Sequence, residues 1–222
     1  MSSVVIFGAG GHGRETFETI EAIRQAGQPI EIVGFLDDDQ SKHGTVVHGL
    51  PVLGGRGWLE RRGGRPSVAL GIGSPAGRAA LAAWLVERAC HIPRLVHPTA
   101  MLSKRARLGD GVMIMAGSLI SIDVDVADFV HVNVGCTVSH DVCLGRFASL
   151  APGVHLAGNV IVEEGAEIGV GAVAISGTRV GAWSIVGGGA VVTRAVSANA
   201  VSAGVPARLI RERPPGWWQT QV

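Results

Sequence analysis

Residues 126–162 read VADFVHVNVGCTVSHDVCLGRFASLAPGVHLAGNVIV. Every sixth residue is aliphatic: Val126, Val132, Val138, Leu144, Leu150, Leu156 and Val162. Four residues after each of the first six stands a small or β-branched one: Val130, Cys136, Val142, Ala148, Val154 and Val160. The two series run without a slip from Val96 to Val192, sixteen hexads in all, with mostly Gly, Asp, Asn and polar residues between them. A period of six fits no α-helix, and a flat antiparallel sheet needs no such rule. It is the mark of a parallel β-helix built from hexapeptides. Large aliphatics fill the axis, small residues fit the tight corners, and Gly or Asp sits where the chain turns.

Before the repeat the pattern is different. Val4 to Phe7 forms a short apolar run into Gly8-Ala9-Gly10-Gly11-His12-Gly13. A helix is predicted from about Arg14 to Gln25, with Phe17, Ile20 and Ile23 on one face and Gly27 as the stop. Ile30 to Leu36 reads as a second strand ending in Asp37-Asp38-Asp39. Further elements follow: a strand near Val52, a helix near Trp58, a strand at Val68 to Ile72 and a helix from about Pro75 to Arg88. Strand, glycine turn, helix, strand and acid make a Rossmann-like order. The chain is therefore expected to hold a small parallel α/β domain in residues 1–95 and the β-helix with its tail in 96–222.

Gly8, Gly10 and Gly13 match G-x-G-x-x-G, which by itself is equally the mark of a tight turn. Such glycines let backbone N–H groups approach a phosphate at a helix N-terminus. A domain of about 95 residues is too short for the two mononucleotide halves of a nicotinamide enzyme.

The chain has 222 residues, 47% hydrophobic and 17% charged, with 33 glycines that follow no collagen period. A net charge of +1 gives no electrostatic reason to expect nucleic acid or an anionic membrane surface. Three cysteines without metal-ligand spacing, and an N-terminus that reads as a strand, suggest reduced thiols and a cytoplasmic protein. No segment approaches the roughly 20 apolar residues of a membrane span.

A short α/β domain with G-A-G-G-H-G and D-D, followed by hexapeptide repeats, resembles the bacterial nucleotide-aminosugar N-acetyltransferases and sialic acid O-acetyltransferases. The resemblance covers nearly the whole chain. It implies a small Rossmann-like N-terminal domain followed by a left-handed parallel β-helix of hexapeptide repeats. Three hexads make one coil in that family, so sixteen give about five coils and a prism on the order of 25 Å tall.

The resemblance also implies acetyl-CoA as co-substrate, no metal, a homotrimer, and a nucleotide-linked amino sugar, in particular a 4-amino-4,6-dideoxy sugar. Gly11, His12, Gly13, Asp37, Asp38 and Gly73 fall on its sugar-nucleotide positions, and Asn133 on a position near the site. His140 followed by Asp141 matches the family's general base and its acidic neighbour. From the repeat alone, His140 and Asp141 are the third and fourth residues of their hexad and project outward at a corner. An adjacent carboxylate favours the imidazolium that forms on proton uptake.

Adding 18 to 140 places Gly158 one coil above His140, where a bare backbone could meet a thioester carbonyl. Gly158, Val170 and Gly188 match coenzyme contacts. Ser149 stands where some members carry a second His, and His131 should stack beneath it. Ala203-Gly204-Val205-Pro206-Ala207-Arg208 resembles the family's ending, and Arg208, Arg211 and Arg213 could approach the coenzyme's phosphates. Trp217 and Trp218 would cap the last coil or pack on a neighbour. The rivals are a sialic acid O-acetyltransferase, a non-catalytic β-helix scaffold, and a metal hydratase needing three converging His ligands.

Overall fold

The computed structural model describes residues 2–62 and 67–221. Three parallel strands open the chain in the order Ile30–Leu36 (β2), Ser2–Phe7 (β1), Ser67–Leu70. Helix α1 covers Gly11–Gln25, three residues earlier than its periodicity predicts, because Gly10 takes the extended N-cap conformation and the glycine turn is itself helical. Helices α2 and α3 span Arg56–Arg62 and Pro75–Glu87. Ser74 caps α3, its hydroxyl accepting from the Gly77 N–H, and Pro75 takes the first helical position, where its missing N–H costs nothing.

From Leu95–Val96 onward the chain is a three-sided prism of two-residue strands. Residues 18 apart pair in parallel, as in Leu119↔Thr137↔His155↔Val173. Five, six and eight strands line the three sheets, the last lengthened by Ala200–Ala203 and the antiparallel Arg208–Glu212. About six turns result, one more than the hexad count, because Ala200–Ala203, beyond the strict repeat, joins the ladder that begins at Leu95–Val96. The axis is filled by the aliphatic series, with Leu144, Leu150 and Leu156 all buried.

From Gly111 to Gly189 each corner turns through a left-handed residue at the fourth hexad position. At one corner these are Gly117, Gly135, Gly153, Gly171 and Gly189; at the next, Asp123, Asp141 and Asn159. Asp and Asn tolerate this region better than other side chains. The third corner carries Phe129, Phe147 and Trp183 at φ of 61°, 60° and 56°. Bulky residues are unfavourable there. Their rings bring packing in exchange: Phe129 and Phe147 stack at 5.1 Å and join the core of the N-terminal domain, beside Val5, Leu70, Leu81 and Leu85.

The three faces thus differ. One is covered by the chain's own N-terminal domain, with Leu95, Met113 and Met115 packed beneath α1 and β1. A second is studded with ion pairs, Arg105–Asp123, Arg107–Asp125 and Arg179–Glu163. The third is open and mainly apolar: Met101, Leu119, Ile122, Val134, Val170 and Ile175 lie on it or along its edges, around a hydrogen-bonded Thr137–His155 pair, Met101 being 67% and Val170 60% exposed.

Candidate active site

His140 and Asp141 form the corner between the apolar and charged faces. The Nδ1 of His140 lies 2.8 Å from Asp141 Oδ2, so the carboxylate holds the proton on Nδ1 and leaves Nε2 as an acceptor. Asp141 reaches this position because its backbone is left-handed, at φ 60°. The ring lies across Gly158, one coil on, where a methyl group would stand 2.6 Å from Nε2. Gly158 therefore first makes room for the imidazole. Its carbonyl accepts from Gly177 N and Ser176 Oγ, while its N–H has no partner among the described residues.

Asn133, Val170 and Gly188 sit along the corner between the covered and apolar faces. Gly169 packs on Gly187 and Gly188 so closely that a side chain at any of the three would press on backbone or on Ala203. Bare backbone flanked by the exposed Val170 suits the narrow, amide-rich pantetheine arm. The coenzyme candidates thus lie on both edges of the apolar face. Asn133 binds its own surroundings, its Oδ1 accepting from Val134 N at 2.7 Å.

The sugar-nucleotide candidates gather at the carboxyl ends of the three parallel strands, where open α/β sheets hold ligands. Gly13 meets Gly8 and Gly71 so tightly that no Cβ fits. Gly73 lies against His12, within 3.7 Å of its ring for an added methyl. Asp37 and Asp38 are less free than free acceptors for a ligand would be. Asp37 Oδ2 accepts from Ala9 N and Lys42 Nζ, each at 2.9 Å, and Oδ1 from Asp39 N. Burial works to raise this carboxyl, but those donors outweigh it and hold it below the usual range. Asp38 accepts from Arg56 N and pairs with Arg56 Nε at 3.0 Å. Asp37 thus organises the loop, and Asp38 offers a half-neutralised edge.

Arg78 is absent from the pattern read in the sequence. It is fully buried, and among the described residues no carboxylate forms an ion pair with it. Its guanidinium donates to the carbonyls of Ile72 and Gly73 on one side, and of Phe129, Phe147 and Ala148 on the other. It also donates to Ser149 Oγ at 2.7 Å. Burial lowers it to about 9, with Glu167 opposing, so it remains charged at neutral pH. The hydroxyl expected to face coenzyme is therefore turned inward to this arginine. The aromatic residues at a corner that elsewhere carries Gly, Asp or Asn were the available signal that another domain docks there.

Within one chain the His140 corner and the sugar-nucleotide candidates do not meet. His140 stands at the corner opposite the covered face, at least about 10 Å away across the packed core. The tail lies along the prism's side: Trp218 stacks on Trp183 at 3.9 Å, Trp217 Nε1 donates to the Trp183 carbonyl, and Arg213 covers Trp217 at 3.8 Å. Neither tryptophan caps the last coil. Among the described residues no three His, Cys, Asp or Glu side chains converge as metal ligands, and no helix is long and apolar enough to cross a membrane.

Residues 3–85 match the PglD N-terminal domain. The whole chain is similar to a GDP-perosamine N-acetyl transferase from Caulobacter crescentus, solved as a histidine-to-alanine mutant with CoA and GDP-perosamine: 33% identity over 96% of this chain and 98% of that one, TM-score 0.86. It is also similar to the acetyltransferase domain of PglB from Neisseria gonorrhoeae in complex with acetyl coenzyme A, at 29% identity over 94% and 98% of the two chains, TM-score 0.85. WeeI from Acinetobacter baumannii shares 26% identity over 95% and 100%, TM-score 0.86. Among curated sequences, 2,3,4,5-tetrahydropyridine-2,6-dicarboxylate N-acetyltransferases from Staphylococcus aureus are 48% identical over 50 residues; the match spans 22% of this chain and about a fifth, 21%, of theirs.

Proposed function

Because the chain belongs to the family of nucleotide-aminosugar N-acetyltransferases, we propose that it moves the acetyl group of acetyl-CoA to the amine of a nucleotide-linked amino sugar, a 4-amino-4,6-dideoxy sugar carried on UDP, GDP or dTDP. The observation that carries this reading is the corner of His140, Asp141 and Gly158. The amine nitrogen attacks the thioester carbonyl carbon. His140 Nε2 takes the proton that the nitrogen sheds, and Asp141 steadies the resulting imidazolium. The unpartnered Gly158 N–H is placed for the oxyanion. Collapse breaks the C–S bond, and the proton passes from His140 to the coenzyme's sulfur.

The working unit is a homotrimer. Two half-sites on opposite sides of one prism are complementary if a neighbour supplies the other half. Cyclic packing of the apolar face brings the His140 corner of one protomer to the Val170–Gly188 corner of the next, beside that protomer's nucleotide crevice. Coenzyme then lies in the groove between them.

Replacing His140 with Ala tests the reading. It should lower kcat by roughly 10²–10⁴-fold, with KM for acetyl-CoA little changed. A near-normal kcat would mean that the amine arrives neutral and that the protein only positions the reactants. Rates on a nucleotide-linked amino sugar against free sialic acid separate N- from O-transfer.

A further inference from the structure

The proposed chemistry leaves one buried pair unused. His12, at the glycine turn, brings its Nε2 to 2.9 Å from Nδ1 of His131 on the covered face. The rings stack with centroids 5.1 Å apart, and His131 is buried. His12 Nδ1 lies 3.2 Å from Glu15 Oε2. A carboxylate accepts only, so Nδ1 of His12 carries the proton and its Nε2 accepts from the Nδ1–H of His131. The charged groups facing the pair are Glu15 on α1 and Arg78 on α3. Burial first, then Arg78, lower both rings from the ordinary histidine value, which favours the unprotonated His12 Nε2 that this bond needs as its acceptor.

Both nitrogens of His12 are thereby occupied, so the ring has none left for a ligand. What the glycine turn can still offer is its backbone N–H groups, whose use depends on where the turn sits. Arg78 ties the Gly71–Ser74 loop to the prism, and the His12–His131 bond ties the first loop to the same face. The other covered-face rungs offer no substitute: Met113 Sδ takes Thr16, and Ser149 takes Arg78.

We propose that His131 is a positioning residue for the nucleotide end of the substrate, holding the Gly8–Gly13 turn against the prism through His12 so that its N–H groups meet a diphosphate. The inference rests on the nucleotide-crevice reading given above. Binding sites need their first contacts held within about 0.5 Å, which a loop on its own does not achieve.

The test uses the full-length protein. GDP, UDP and dTDP are titrated calorimetrically into wild type, and the one bound most tightly becomes the probe. His131→Phe keeps a ring but removes Nδ1; His131→Asn keeps a hydrogen-bonding atom near that place. His131→Met, which adapts to irregular cores, replaces Phe if that variant does not fold. The Phe variant should weaken the probe about tenfold and raise KM for the matching nucleotide sugar alike, with KM for acetyl-CoA unchanged; Asn should recover most of the loss. Unchanged probe affinity in folded His131→Phe overturns the proposal and leaves the function intact, as does an equal loss in Phe and Asn, which would mean packing alone. Wild type that binds none of the three overturns the nucleotide crevice, and the proposal with it.

Discussion

Gly158→Ala isolates the geometry of the proposed base. The added methyl would stand 2.6 Å from His140 Nε2 and 3.0 Å from Nδ1. Ordinary contact between such atoms is about 3.5 Å, so the ring must retreat by about 1 Å. Gly158 is not among the left-handed glycines, so alanine fits its backbone without strain. The His140 side chain is 54% exposed and can swing outward at little cost to the fold. Stability should therefore hold while catalysis suffers. A displacement of that size costs roughly 10²-fold in rate, and kcat should fall by that factor with an unchanged melting temperature. Gly27→Ala, after the end of α1, is the control: its φ is 98° and its side-chain space is open, so it should cost about 1–2 kcal/mol in stability and leave kcat alone. Steady-state kinetics and thermal melts on both variants decide the matter. A Gly158→Ala enzyme with kcat within about twofold of wild type would refute the claim that the ring must lie over this glycine.

Leu150→Asp should give insoluble or unfolded protein, because it buries an unpaired charge on the prism axis at a cost of several kcal/mol; a folded variant would refute the register. Light scattering should report three times the 22.9 kDa chain, and Leu119→Arg on the apolar face should yield monomers that lack activity although His140 is intact; an active monomer would refute the shared site. Asp38→Ala should raise KM for the sugar nucleotide and spare that for acetyl-CoA, and equal effects on both would reject the division of labour. Because His12 and His131 titrate lower when folded, the unfolded chain binds more protons below about pH 6.5. Melting temperature should therefore fall as pH drops from about 6.5 toward 5, less steeply in His131→Phe, and identical slopes would refute the assignment.

The prism was readable because each coil repeats one demand: an aliphatic residue at the axis and a left-handed turn at the corner. That regularity also made the His140–Gly158 contact a matter of adding 18. What escaped was everything specific to one face. Arg78 looks like any charge on a helix until the carbonyls of Phe129 and Phe147 are placed around it. His12 and His131 are 119 residues apart, and no local spacing announces their bond. Ser149 lies on a ladder whose outward side is solvent in a bare prism and interior here, because the N-terminal domain covers that face. Periodicity assigns residues to ladders; it carries no information about which ladder another domain will cover.

The 18-residue pairing imposes a rule on how such a chain can change length. An insertion of one residue within 141–157 would carry Gly158 away from His140 and move every later aliphatic residue off the axis. Six extra residues would restore the axis but rotate the downstream corners by one face, delivering Val170 and Gly188 to the wrong edge. Only a whole coil preserves the axis and the faces together, and between His140 and Gly158 even that would interpose a new rung. Growth and loss of length are therefore confined to the two ends of the prism or to loops that bulge from it, and the spacing between base and glycine is inherited as an indivisible unit.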